Sequence, residues 1–159
     1  NVPETNYSFS LGMEYKGFGF NVLFQGMAGM TKYLGTTGVW DCVKNNNNLS
    51  VHYWENRWHP DSDNSNAAYP RLTTMDNPNN YRSNSVWYSN LSWLKLRNVE
   101  VYYRFPQKWM KKIKVSDAKI FVKGENLLTI SDMKVMDPEC LGTNYPIMKG
   151  ASIGLNINF

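Results

Sequence analysis

Apolar and polar residues alternate with a period of two in several segments of this chain, which is the pattern of β-strands that have two different faces. The apolar set of the first segment, residues 5–15, consists of Tyr7, Phe9, Leu11, Met13 and Tyr15. Lys16-Gly17 then predicts a tight hairpin turn. A second strand, over residues 18–30, carries its own apolar set of Phe18, Phe20, Val22 and Phe24. The two segments predict an antiparallel hairpin.

Three further strands follow the same pattern, over residues 86–105, 117–130 and 148–159. In the first of these, the parity of the apolar positions changes between Leu96 and Val99. One extra residue there, a β-bulge near Asn98, keeps the apolar set on one side of the strand. Two shorter strands are the alternative. The final strand keeps its apolar residues in register up to the last position: Ile153, Leu155, Ile157 and Phe159.

The connections between the predicted strands are alternately short and long. Lys16-Gly17 and residues 106–114 are short, whereas residues 31–85 and 131–147 are long, so one end of the sheet carries all the long loops. Outer-membrane barrels have this asymmetry, with long extracellular loops and short periplasmic turns. About 11 tilted residues span roughly 27 Å, close to the ~25 Å apolar band of such barrels. We therefore predict an all-β chain of antiparallel transmembrane strands.

Composition supports this prediction. Aromatic residues make up 14% of the 159 residues and charged residues only 19%. Tyr, Phe and Trp are frequent near the predicted strand ends, like the aromatic girdles of membrane barrels. The chain contains no apolar run long enough for a membrane-spanning helix. Five strands cannot close a barrel, whose smallest single-chain forms have about eight, so we expect more strands upstream in a longer polypeptide.

The chain lacks recognisable catalytic motifs. His52 and His59 lack the HExxH spacing, and there is no P-loop or GxSxG sequence. Cys42 and Cys140 lack CxxC spacing; they either pair, if their loops meet, or stay as two thiols. The formal charge of +4 fits solvated loops and turns, because no nucleic-acid-binding motif accompanies it. We expect no enzymatic activity, no cofactor, no metal site and no nucleic-acid partner.

Several short stretches, taken together and in this order, are characteristic of one family. They are Tyr15-Lys16-Gly17-Phe18, Tyr69-Pro70-Arg71-Leu72, Ser92-Trp93-Leu94-Lys95-Leu96-Arg97-Asn98-Val99, Tyr103-Arg104-Phe105-Pro106, Val122-Lys123-Gly124-Glu125-Asn126-Leu127-Leu128-Thr129, Asp137-Pro138-Glu139 and Gly154-Leu155-Asn156-Ile157-Asn158-Phe159. Over nearly its whole length, the chain resembles the C-terminal end of SusC/RagA-like TonB-dependent outer-membrane transporters.

The resemblance implies a large barrel of about 22 strands in the outer membrane of a Gram-negative bacterium, with an N-terminal plug that is not in this chain. It implies import of glycans or peptides together with a SusD-like surface lipoprotein, energised by the TonB complex through the missing N-terminal part. This segment would close the barrel wall against outer-membrane lipid and supply extracellular loops. Phe159, an in-register terminal aromatic, would serve as a signal for the barrel-assembly machinery.

Two groups of residues are candidates for binding. Aromatic rings of the long loop either stack on substrate or anchor a partner protein, or else pack together at the barrel mouth; they are Trp40, Tyr53, Trp54, Trp58 and Tyr69. Charged residues on the polar strand faces are expected to line the lumen and to pair with each other or with the plug. They are Lys95, Arg97, Glu100, Arg104, Lys119, Lys123 and Glu125.

Two further groups have simpler expected roles. The lysines of the predicted periplasmic turn, Lys108, Lys111, Lys112 and Lys114, are expected to meet water and lipid head groups. Asp61, Asp63 and Ser65 resemble the start of a calcium loop, but the glycine and the closing Glu are absent, so a solvated loop is expected.

Two other functions would fit part of the pattern. A soluble β-sandwich that binds carbohydrate would need a second layer of protein over apolar residues such as Ile120, Val122, Leu155 and Ile157. A passive porin-like channel would lack a plug.

Overall fold

A computed structural model describes residues 2–34, 48–73, 77–133, 136–141 and 144–159. The strands are β1 (Thr5–Tyr15), β2 (Phe18–Ala28), β3 (Thr31–Tyr33), β4 (Tyr88–Asn90), β5 (Trp93–Arg104), β6 (Asp117–Ser131) and β7 (Gly150–Asn158), and the helices are α1 (Val51–Asn56) and α2 (Gln107–Met110). Five strands form one antiparallel sheet in the order β1-β2-β5-β6-β7, while β3 pairs with β4. Among the described residues, no helix has the length and apolar character needed to cross a membrane.

The hairpin between β1 and β2 turns at Lys16-Gly17, as predicted. Lys16 has φ 50° and Gly17 has φ 88°, and positive φ at both central positions is what a type I′ turn requires. The turn sets the register in which Tyr15 faces Phe18 and Phe9 faces Phe24. The Phe9 and Phe24 rings stack with their centroids 4.8 Å apart.

The parity change in β5 is a β-bulge, as predicted. Leu96 and Asn98 pair with successive residues of β2, Phe24 and Leu23, so that Arg97 is the extra residue. On the other side, the pairing of β5 with β6 shifts at the same place. Because β5 continues through the bulge as one strand, the alternative of two shorter strands is wrong.

The structure corrects the start of this third predicted strand. Residues 86–92, assigned to it from the sequence, form a single 3-10 turn over Ser85–Trp87 followed by β4. The Asn84 side chain accepts a hydrogen bond from the Val86 N–H (3.0 Å), which favours the turn over an extended strand. The chain joins the main sheet only at Trp93.

Other predicted bounds differ by smaller amounts. β2 ends at Ala28 rather than at residue 30, because Gly29 takes up a positive φ of 74°. β7 spans Gly150–Asn158 rather than residues 148–159. The predicted loop over residues 31–85 also contains β3 and α1, whose first turn is capped by Ser50.

The main sheet has two chemically distinct faces. Pairing places most of the large apolar side chains of the five strands on one side, the apolar face, and the Ser, Asn, Gln and charged side chains on the other, the polar face. The polar face also carries Leu23, Met27, Trp93 and Phe121. The apolar face is open: Val122 is 53% exposed and Leu155 58% exposed. Among the described residues, no second layer covers them.

Two small hydrophobic clusters lie at opposite ends of the sheet. At the long-loop end, the loop core consists of Leu34, Tyr53, Trp87, Leu91 and Met133. At the short-turn end, Met110, Val115 and Ala118 pack with Phe105. The main sheet itself contributes little to either cluster, so within the described ranges most of its apolar side chains are not covered by a second layer of protein.

Candidate functional site

The polar face carries the charged residues that the sequence assigned to it. On this face Lys119 and Glu100 form an ion pair of 2.9 Å across β5 and β6, and Lys123 pairs with Glu125 at 2.6 Å. Arg104 lies 3.8 Å from Glu14 and 3.7 Å from Asp117. These charges are thus largely matched within the sheet.

Lys95 differs from the other charged residues because it is buried. Its side chain is 1% exposed, and its Nζ lies 2.8 Å from Asp137 Oδ1 and 2.7 Å from Glu139 Oε2. Both carboxylates belong to the second long loop, between β6 and β7. A buried ammonium group requires such partners, because it has lost its hydration. Lys95 therefore fastens this loop to the polar face of β5.

Arg97 extends the same network from the bulge. Its guanidinium donates to Gln25 Oε1 (2.8 Å), to Asn126 Oδ1 (3.1 Å) and to Glu139. The extra residue in β5 turns this side chain toward the loop without moving the neighbouring apolar residues off their face. Asp137-Pro138-Glu139 is recognisable in the sequence, but its contact with Lys95 and Arg97, 42 positions away, is formed only by the tertiary structure.

A cavity of about 540 Å³ opens on the polar face next to this network. Trp93, Gln25, Glu139 and Asn144 are among the residues that line it. Trp93 is 6% exposed, and its Nε1 has no hydrogen-bond partner among the residues that the structure describes. The cavity combines polar side chains with an aromatic ring and is suited to a polar ligand or to another part of a barrel interior.

The aromatic candidates of the long loop separate into two pairs. Tyr53 is 2% exposed, stacks on Tyr69 at 4.6 Å, and donates its hydroxyl to the Pro70 carbonyl at 3.3 Å. The Tyr69 ring lies 6.2 Å from Trp87, and burial raises the pKa of its hydroxyl. Packing in the loop core is therefore a sufficient role for the rings of Tyr53 and Tyr69.

Trp54 and Trp58 are accessible, being 52% and 39% exposed. They border a cavity of about 270 Å³ with Arg57 and Arg71. Arg57 stacks on Trp54, with Cζ 3.4 Å from the ring centroid, and also donates to the Trp54 carbonyl. This pocket offers aromatic faces and guanidinium donors to a ligand. Trp40, the remaining aromatic candidate, lies outside the described residues.

The Asp61 to Ser65 tract forms a local turn. Asp63 Oδ1 accepts the Ser65 N–H at 3.0 Å, and hydrogen bonds from Ser65 lower the pKa of the Asp63 carboxyl. His59 Nδ1 lies 3.8 Å from Asp61. Within the described parts of the chain, no group of three His, Cys, Asp or Glu side chains is placed to hold a metal ion.

Cys140 donates its thiol to the Tyr145 carbonyl at 2.9 Å. Cys42, the other cysteine of the predicted alternative of a pair, lies outside the described residues. Phe159 follows directly after β7 and is 91% exposed.

Comparisons with known proteins show which proteins this chain resembles. No family model matches the chain. Two curated proteins of Formosa agariphila, TonB-dependent receptor P3 and TonB-dependent receptor P26, are each 25% identical to it and align with 99% of its length. The predicted resemblance to RagA-like TonB-dependent receptors is confirmed. The chain spans only 16% and 17% of these two relatives.

Solved structures show the same fold. The RagAB peptide importer in the open-open state aligns with 99% of this chain at a TM-score of 0.74 and 22% identity, and the closed-closed state aligns at a TM-score of 0.73 and 23% identity. In both, the matched part is 17% of the solved chain. The all-β, antiparallel fold class predicted from the sequence is therefore confirmed, and the relatives of this chain are transporters and receptors rather than enzymes.

Proposed function

We propose that this chain is the C-terminal part of the barrel wall of an outer-membrane TonB-dependent importer. The observation that carries the proposal is the open apolar face, whose central residues are about half exposed, opposite a polar face with matched charges. In a barrel, the apolar face contacts lipid tails and the polar face lines the lumen. A soluble β-sandwich would bury the apolar face, which is why that alternative is not favoured.

The lengths of the connections support one orientation in the membrane. Lys16-Gly17 and residues 105–116 connect strands at one end of the sheet, whereas residues 29–92 and 132–149 connect them at the other. We assign the long-loop end to the cell exterior and the short-turn end to the periplasm, as in other outer-membrane barrels.

The edges of the sheet require further strands. β1 and β7 each pair on one side only within the described part of the chain. Hydrocarbon offers no hydrogen-bond partner for the open edges, so the barrel must be completed by other strands. A total of about 22 strands, an N-terminal plug and coupling to TonB follow from the family resemblance. The presence of a plug and its coupling to TonB would separate the importer from a passive porin-like channel.

Peptides or oligosaccharides are the proposed substrates, taken up with a SusD-like surface lipoprotein. One relative is named a peptide importer, which supports the peptide class. Within this chain, the Trp54–Trp58 pocket is the proposed contact for substrate or lipoprotein, because its rings are accessible while Tyr53 and Tyr69 are packed.

Placing arginine on the apolar face tests the membrane assignment. Val22→Arg, in the middle of β2, should weaken folding into a bilayer by about 2–4 kcal/mol, since an arginine at the midplane must be taken into hydrocarbon. Asn21→Arg is the control: it lies next to Val22 on the polar face and pairs with Glu100. Urea titrations of the full-length receptor in phospholipid vesicles measure both. Equal, small effects of the two substitutions would overturn the assignment.

Removing the two accessible indoles tests the binding pocket. Trp54→Ala combined with Trp58→Ala should weaken substrate or lipoprotein binding by about tenfold or more, as loss of aromatic contacts does at hot spots. Uptake and lipoprotein co-purification by the full-length receptor are the measurements. Tyr145→Ala, at a 76% exposed residue of the other long loop, is the control. Unchanged uptake and unchanged co-purification would leave these rings with a packing role only.

A further inference from the structure

We propose that the turn between β5 and β6, residues 106–114, binds an anionic phospholipid headgroup at the periplasmic surface of the membrane. This inference rests on the proposed function, since it uses the membrane orientation assigned there. It goes further by specifying a lipid class and the residues that recognise it.

The turn carries an unmatched positive charge. Its four lysines, Lys108, Lys111, Lys112 and Lys114, are all exposed, and none forms an ion pair with a residue in the described ranges. The carboxylates at this end of the sheet, Glu14 and Asp117, are already beside Arg104 on the polar face. The lysines are therefore available to an anion from outside the sheet.

Packing places the turn on the apolar side of the sheet. Met110, 8% exposed, packs with Val115, Ala118 and Phe105. Ala118 pairs with Ile157 and so belongs to the apolar face. The turn is folded against the side that contacts lipid, not over the polar face, and its lysines lie where headgroups are expected.

Two apolar side chains of the turn point outward. Trp109 is 57% exposed and Ile113 is 64% exposed. Trp109 lies in α2 and Ile113 lies in the 3-10 turn that follows it, so both belong to the same basic turn. A tryptophan beside lysines is typical of segments that lie in a membrane interface, with the ring among the lipid chains and the ammonium groups near the phosphates.

An apolar groove lies at the same end of the sheet. It has a volume of about 580 Å³, and Met13, Tyr15, Phe18 and Val101 line it on the apolar face, with Lys16 at its border. Lys16 Nζ lies 5.1 Å from the Tyr15 ring centroid. An acyl chain fits such a groove. A zwitterionic headgroup brings its own cation and would leave the lysines unmatched, so charge complementarity favours an anionic headgroup.

The test measures lipid selectivity of the full-length receptor in bilayers. Spin-labelled phosphatidylglycerol and spin-labelled phosphatidylcholine are compared by electron paramagnetic resonance at low salt. The variant K108Q/K111Q/K112Q should lose tenfold or more of the selectivity for phosphatidylglycerol, because each lysine near an anionic surface contributes about fivefold. The variant K108R/K111R/K112R should retain it. The control K32Q/R82Q/K149Q removes equal charge from the long-loop end and should also retain it.

The outcomes separate this inference from the proposed function. A receptor that integrates into bilayers but shows the same selectivity in K108Q/K111Q/K112Q as in the wild type overturns the lipid site alone. Equal losses in that variant and in K32Q/R82Q/K149Q would show that only net charge matters, which also overturns the site. A receptor that does not integrate into bilayers overturns both. Loss confined to K108Q/K111Q/K112Q supports the site.

Discussion

Lys95→Met is expected to destabilise the assembled barrel by about 3–5 kcal/mol, which is the usual cost of removing one partner from a buried ionic network. The Lys95 ammonium lies within 3 Å of Asp137 and Glu139, whose side chains are only 15% and 19% exposed. Without Lys95, these two carboxylates repel each other, and the contacts that remain to them in the described part of the chain are Arg97 at Glu139 and the Glu139 N–H at Asp137 Oδ1. The second long loop should then detach from β5.

Unfolding of the full-length receptor by urea, together with protease cleavage within residues 132–149, measures this effect. Lys123→Met is the matched control, because it removes a lysine from the same face at an ion pair that is 38% and 51% exposed. A solvated pair of that kind contributes at most about 1 kcal/mol. Equal destabilisation by the two substitutions would contradict the special role of Lys95.

A rescue variant distinguishes unpaired charge from lost packing. K95M/D137N/E139Q removes both repelling carboxylates and keeps the side-chain volumes nearly constant. It should regain part of the stability lost in Lys95→Met, since it removes the repulsion between the two carboxylates while Arg97 keeps its hydrogen bonds to Gln25 and Asn126. If the triple variant is as unstable as Lys95→Met, loss of packing is the cause.

Trp87→Ala should lower the free energy of unfolding of the loop core by about 3–5 kcal/mol, the range for removing a large buried aromatic side chain. Trp87 is 1% exposed in the loop core and donates its Nε1–H to the Asn80 carbonyl at 2.7 Å. Its backbone carbonyl accepts the Leu34 N–H at 2.7 Å. The substitution leaves a cavity beneath Tyr69 and removes the support of the first long loop.

The effect of Trp87→Ala should be local. Protease cleavage within residues 48–92 should accelerate, while urea resistance of the strands changes less, because the main sheet contributes little to the loop core. Val86→Ala, at the 46% exposed neighbour, is the control and should leave cleavage unchanged. Slow cleavage in Trp87→Ala would mean that the loop is held by contacts other than its core.

Local alternation was sufficient to recognise the sheet and its two faces. Residues two positions apart in a strand lie on the same side, so the apolar face can be read from segments such as 5–15 and 117–130 without any tertiary information. The tight turn at Lys16-Gly17 and the bulge between Leu96 and Val99 follow from equally local signals, since a turn type and a parity change each involve only a few neighbouring residues.

Local sequence patterns did not predict the structure of the loops. Residues 86–92 contain β-favouring aromatic and β-branched side chains and were assigned to a strand, yet the Asn84 cap and burial of Trp87 draw them into a turn and a separate two-stranded pair. Likewise, Tyr53 and Trp54 are adjacent aromatic residues in the sequence, but only the packing of α1 buries the first and leaves the second accessible.

The sequence by itself determined the strand pattern, the asymmetry of the connections and the resemblance to TonB-dependent receptors, because each is encoded in residue order over short spans. Only the tertiary structure decided that Lys95 is buried against Asp137 and Glu139, that Trp54 and Trp58 border a pocket, and that Met110 anchors the basic turn on the apolar side. These contacts join residues on different elements, and their energies depend on burial, which no local pattern specifies.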